Sequence, residues 1–176
     1  MKKRYFISSI LLFFVLAGSA FSQVDFGFTL GTEYGFGLIA RAGTRSVMLE
    51  AGGGIAPTFI LWNINFGDTY FKLYFPFTAG AKLCFGLGGF SKNDIAYIKI
   101  GGSYNTIMKM GFGGGADYTF GEKTKYVISA GAYFFPKSYD ELLTRLNDEE
   151  GTHYAKDDTS SFLVQFQPFI AFSILF

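Results

Sequence analysis

Apolar and polar residues alternate along this chain with period 2 over long stretches. From Phe162 to Phe176 every second residue is apolar: Phe162, Val164, Phe166, Pro168, Ile170, Phe172, Ile174 and Phe176. The row between them is mixed and holds Gln165, Gln167 and Ser173. Period 2 sends the two rows to opposite faces of a strand. A strand so greasy on one face must pair both of its edges or aggregate. A closed barrel with lipid outside and polar groups inside pairs every edge.

The same alternation predicts seven earlier strands. The first covers Val24–Thr32, with Val24, Phe26, Phe28 and Leu30 opposite Asp25, Gly27, Thr29 and Gly31. A tight turn near Glu33–Gly35 leads to the second, Phe36–Gly43. The third runs from Val47 to about Ile64, and the fourth from Phe71 to Leu87. The fifth is Asp94–Ser103, the sixth Thr106–Phe120 and the seventh Lys125–Phe135. In the sixth, Met108, Met110 and Phe112 are expected outside, with Lys109 and Gly111 inside. A polar insert, Pro136–Thr159, precedes the last strand.

Strands three and four exceed the roughly 9–11 tilted residues that cross a bilayer. Either their hairpin projects beyond the membrane, or it breaks near Ala56-Pro57 and near Gly80, which would give ten strands. The alternation of strand four passes through Gly80 without a slip in phase, which favours eight. The expected fold is therefore all-β: a closed antiparallel up-and-down transmembrane barrel. The short turns at Gly43–Ser46, Gly88–Asn93 and Gly121–Thr124 would lie on the periplasmic side, and the 136–159 loop outside the cell.

Composition agrees with this picture. Phe and Gly both number 23, and charged residues are only 16% of the chain. The charge is +1. Removing Lys2, Lys3 and Arg4 from the 15 basic residues leaves 12 against 14 acidic ones, a net −2. No basic field exists to recruit nucleic acid. Residues 1–22 read as a cleaved signal peptide: Lys2–Arg4, then the apolar Tyr5–Leu16, then Ala20-Phe21-Ser22 before a cut at Gln23. This leaves residues 23–176 as one barrel domain. Cys84 is the only cysteine, so no internal disulfide forms.

At this point the residues resemble a family. A leader, alternating strands of this size and a terminal Phe176 preceded by Ile174 and Phe172 look like the small outer-membrane barrels of the OmpA/OmpX class. The resemblance is one of architecture over residues 23–176. It implies that Phe172, Ile174 and Phe176 are read by the barrel-assembly machinery, and that the chain sits among lipids of a Gram-negative-type outer membrane. It transfers no function, because that class hosts adhesins, structural barrels, narrow channels and lipid-modifying enzymes.

The inward rows carry both signs of charge. Arg41, Lys72, Lys82, Lys99 and Lys109 are the basic candidates; Asp25, Glu33, Glu50 and Asp117 are the acidic ones. Eight strands enclose an interior only wide enough for side chains, so these groups are expected to pair in a polar plug. A narrow, cation-lined conduit is the alternative. Gly111–Ala116 fits a loose dinucleotide pattern but lies inside one strand, without the helix that mechanism needs. His153 with Asp157, Ser160 and Ser161 could form a lipid-esterase arrangement, and Asp148, Glu149, Glu150, Asp157 or Asp158 a calcium site, but no spacing selects either over a solvated loop. Ser138 with Glu141 reads as a capping box for a short helix with Leu142, Leu143 and Leu146 on one face. Trp62, Tyr70, Tyr118 and Tyr133 are expected on the outer wall. These features favour a non-enzymatic barrel without cofactor or metal. Its role would be structural or surface-interactive, with an extracellular partner meeting 136–159.

Overall fold

The computed structural model describes residues 23–63, 69–151 and 165–176. The leader expected at 1–22 lies outside them, as do His153, Asp157, Asp158, Ser160 and Ser161. In chain order the elements are β1 (Gln23–Gly31), β2 (Phe36–Gly43), β3 (Val47–Ile55), β4 (Thr58–Asn63), β5 (Thr69–Tyr74), β6 (Phe77–Gly88), β7 (Ile95–Asn105), β8 (Lys109–Phe120), β9 (Lys125–Phe134), α1 (Ser138–Glu150) and β10 (Phe166–Leu175).

Eight strands close a barrel in the order β1-β10-β9-β8-β7-β6-β3-β2, every pair antiparallel. Closure is made by β1 against β10, with Phe28 opposite Ile174 and Leu30 opposite Phe172. Alternation sets the register, since a slip of one residue would turn every side chain to the wrong face. Phe26, Phe28, Leu30, Leu38, Leu83, Ile98, Ile100, Phe112, Ile128, Ile170 and Phe172 stand exposed on the outer wall. Asp25, Arg41, Glu50, Lys82, Lys99, Asp117 and Ser129 are buried inside. The usual order of a globular protein is inverted.

The long third and fourth strands of the sequence reading each divide in two. The chain breaks at Ala56-Pro57 and again at Phe75-Pro76, one turn of sequence earlier than the Gly80 considered above. Proline has no N–H for the ladder, so pairing lapses at both places, and the Ala56 N–H donates to the Pro76 carbonyl across the gap, 3.1 Å. Beyond it β4 and β5 form a separate two-stranded sheet. The two alternatives raised by strand length thus merge: eight strands in the barrel, and a two-stranded hairpin continuing from its wall.

Two further expectations are corrected. Met108 is buried, not outward. It sits in the β7–β8 turn, where the Asn105 side chain accepts from the N–H groups of Ile107 and Met108 at 2.9 and 3.1 Å, an Asx turn that ends the alternation. Tyr133 is buried too, on the inner row of β9 with Val127 and Ser129. Tyr118 lies on the outer row, while the side chains of Trp62 and Tyr70 lie outside the described residues.

The helix α1 follows β9 and begins after Lys137, which makes no side-chain cap bond. Ser138 is the first helical residue rather than the cap, and its hydroxyl donates to the Phe135 carbonyl at 2.8 Å. Gly151 closes the helix with φ 64°, its N–H bonding the Asn147 carbonyl. No helix among the described residues is long and apolar enough to cross a membrane, which says nothing of a barrel.

Candidate functional site

The interior is the site. Six charged side chains meet at one level of the barrel, five from strands and Glu33 from the β1–β2 turn. Arg41 and Glu50 are direct cross-strand partners, as are Glu50 and Lys82. Arg41 Nε and Nη2 donate to Glu50 Oε2 at 2.9 and 2.5 Å, and Nη2 also donates to Asp117 Oδ2 at 2.6 Å. Its Nη1 donates to Thr119 Oγ1 at 3.0 Å. Lys82 Nζ bonds Glu33 Oε1 and, at 2.9 Å, Glu50 Oε1. Lys99 Nζ donates to Glu33 Oε2 at 3.1 Å and lies 3.7 and 3.9 Å from Glu50 and Asp117.

Three cations therefore face three anions, and none of the six side chains is more than 2% exposed. An isolated buried charge is very costly, and only mutual pairing with full hydrogen bonding offsets its desolvation. Aromatic rings complete the enclosure. Lys82 Nζ lies 4.2 Å from the Tyr34 ring centre and 5.5 Å from that of Phe169. The Tyr34 and Tyr133 hydroxyls donate to Glu50 and Glu33 at 3.4 and 3.3 Å. Gly52 makes room for Tyr34: a Cβ there would stand 2.7 Å from the ring.

Asp25 belongs to a second, smaller group at the end of the barrel where β1 begins and β10 ends. Lys125 Nζ donates to both of its carboxylate oxygens at 2.9 Å, and Gln23 Nε2 donates to Oδ2 at 2.5 Å. Between this group and Arg41 is an open vestibule of about 170 Å³. Arg45 stands at its edge and ties the β2–β3 turn to the β6–β7 turn through the carbonyls of Ser91, Lys92 and Asp94.

Lys72 and Lys109 do not join the interior. Lys72 lies on the β4–β5 hairpin, beyond the proline breaks, and pairs with Glu149 of α1 at 2.8 Å. Lys109 opens β8 at φ 65°, which throws it out of phase, and its Nζ lies 3.6 Å from Glu141. The Lys72 bond also holds the Glu149 carboxyl below the usual carboxylate range. Glu149 is thus committed to the hairpin, and of the other groups proposed for calcium Asp148 is exposed on α1, while the side chain of Glu150 and the residues Asp157 and Asp158 lie outside what is described. Glu50, Cys84 and Asp117 converge to within 4.8 Å, but Arg41 and Lys99 already supply positive charge there.

At the opposite end, α1 covers the mouth. Tyr139, Leu142 and Leu143 are buried against Met108, Tyr133, Phe135 and Phe169, with Tyr74 and Ile107 alongside. Tyr34 and Phe169 escaped the sequence reading, and Met108 and Tyr133 were placed on the wrong face by it. Phase alone could have found Phe169 and Tyr133, which fall on inner rows. No local signal marks Tyr34, because a turn has no period.

Together these features define a closed eight-stranded antiparallel barrel with a salt-bridged interior. Comparison with protein-family models, with curated proteins and with solved structures yields no match. The likeness to OmpA/OmpX-type barrels accordingly rests on strand number, closure and pattern.

Proposed function

We propose that this chain is a non-enzymatic integral barrel of a Gram-negative-type outer membrane, sealed inside and working through its structure and outer surface. The observation that carries this reading is the inversion of faces: an apolar outer wall around a charge-balanced core. In water such a wall would expose a large apolar surface that monomeric soluble proteins avoid; in lipid it is the required one. A run of outward rings supports the same reading. Phe90, Tyr118, Phe120, Tyr126 and Phe172 follow one another at 5.6–6.3 Å between centres near the terminal end, where an interfacial girdle would lie.

On this reading the leader exports the chain, and the outward Phe172, Ile174 and Phe176 of the last strand are the barrel-assembly signal. Both termini face the periplasm. The hairpin and the outer face of α1 then face the medium, and an extracellular partner meets the 136–159 insert there. Acid and base groups of the lumen are tied to one another, which supports a structural rather than a catalytic role.

The test is to refold residues 23–176 into lipid vesicles, establish a heat-modifiable β-rich band, and record single channels. A folded, silent barrel is expected. Failure to insert would refute the membrane reading, and steady conductance sensitive to Lys82→Glu would replace the sealed barrel with a narrow solute channel.

A further inference from the structure

Two sulfur side chains meet on the inner wall beside the charge network. Met48 of β3 and Cys84 of β6 are direct cross-strand partners, which sets their Cβ atoms about 5 Å apart on one face. Both are buried, and they belong to one cluster with Ile95 and Tyr97. The Cys84 sulfur also lies within 4.8 Å of a carboxylate oxygen of Glu50 and of one of Asp117. The two carboxylates differ in what they have left to offer. Glu50 has both oxygens bonded, Oε2 by Arg41 and Oε1 by Lys82. Asp117 Oδ2 accepts from Arg41 at 2.6 Å and lies 3.9 Å from Lys99. Its Oδ1 is buried with no hydrogen-bond partner among the described residues. A buried carboxylate oxygen in that position calls for a donor or a cation.

Met48 also lines the open vestibule, together with Arg41, Tyr97 and Thr119. A solute entering there meets the thioether first, and the fully buried Cys84 behind it. The unbranched methionine chain can turn to let an ion pass. Thiol and thioether are soft ligands and select soft metal ions. The surrounding charge narrows the choice further, because three cations already balance three anions. A divalent ion would leave one positive charge uncompensated even after displacing the thiol proton. A monovalent ion leaves none. The Cys84 S–H bond breaks, a sulfur–metal bond forms, and the proton leaves through the vestibule to solvent. No electron is transferred, and the net charge of the core is unchanged.

We propose that Met48, Cys84 and Asp117 form a binding site for a monovalent soft metal ion, of the Cu⁺ and Ag⁺ class, reached from the vestibule. The Cys84 thiolate and the Met48 thioether hold the ion, and Asp117 Oδ1 supplies a third, harder ligand. Arg41, bonded to Oδ2, keeps that carboxylate in place. This inference goes beyond the sealed-barrel reading and rests on it for the folded barrel in lipid.

The experiment dialyses the barrel, refolded in lipid vesicles, against silver nitrate in chloride-free buffer. Bound metal is counted by mass spectrometry, released acid by pH-stat titration, and folding by the heat-modifiable band. The folded barrel is expected to take up about one Ag⁺ and release about one proton. Cys84→Ser and Cys84→Ala should each abolish uptake and proton release while keeping the band. Met48→Leu, which keeps the volume and removes the sulfur, should weaken binding by at least roughly tenfold, the loss typical of removing even an outer-shell partner. Met108→Leu, a buried methionine away from the site, should change nothing. Zinc nitrate at the same concentration should not bind. A folded barrel that takes up no Ag⁺, or takes up as much in both Cys84 variants, overturns the site and leaves the barrel standing. Undiminished affinity in Met48→Leu overturns the two-sulfur assignment, and equal uptake of Zn²⁺ overturns the argument from charge. A wild-type chain that gives no heat-modifiable band overturns both readings.

Discussion

Replacing Arg41 by Met removes one cation from a network that has none to spare. Arg41 makes two bonds to Glu50, one to Asp117 and one to Thr119. Without it Glu50 keeps Lys82 at 2.9 Å and Lys99 at 3.7 Å, whereas Asp117 keeps only Lys99, at 3.9 Å. Two cations would then face three anions, all buried. Removing one partner of a buried ion pair costs about 3–5 kcal/mol, because the remaining charge is left uncompensated. That is a large share of the ~5–15 kcal/mol by which a typical domain is stable. The double variant Arg41→Met, Glu50→Gln restores the balance, with Lys82 and Lys99 facing Glu33 and Asp117. It should recover about 1–3 kcal/mol relative to Arg41→Met, although it removes a further charged contact. Urea unfolding in lipid vesicles, followed by loss of the heat-modifiable band and by circular dichroism, measures both. An Arg41→Met cost below about 1 kcal/mol, or a double variant no more stable than the single, would refute the argument from charge balance.

Further consequences can be measured in the same system. Gly52→Val sets side-chain atoms against the Tyr34 ring and should destabilise the barrel by about 1–3 kcal/mol, with Tyr34→Ala in the same chain relieving part of the loss; an additive pair of effects would count against the contact. Ile100→Lys, on the outer wall, should cost about 2–4 kcal/mol in lipid if it lies near the bilayer midplane, and a neutral result would speak against membrane contact there. The depressed Glu149 carboxyl supplies stability that is present above the ordinary carboxylate range and lost as pH falls through its own lower value. The pair is exposed, so the effect is a few tenths of a kcal/mol. Exchange of α1 amides should quicken on acidification relative to a Lys72→Ala control, and identical pH profiles would refute that contribution.

The sequence by itself determined which residues alternate, and from that the closed antiparallel barrel, its eight strands and the outward greasy row of β10. The reason is that a strand's faces follow directly from period 2, and a row of apolar residues states its own environment. The same phase places Arg41, Glu50, Lys82, Lys99 and Asp117 on inner rows. It failed where period 2 stops. Lys72 and Lys109 lie beyond a proline break and at a turn, so their phase says nothing about the lumen. Tyr34 enters the barrel from a turn, which only the closed geometry could reveal; Glu33, placed inside by the sequence, enters from the same turn. Partner choice was likewise beyond the sequence: Lys82 joins Glu33 and Glu50 across 49 and 32 positions of chain, because closure brings β1, β3 and β6 around one axis. Only the tertiary structure decided that α1 turns Leu142 and Leu143 into the mouth, since an amphipathic helix records that it has an apolar face but not what will cover it.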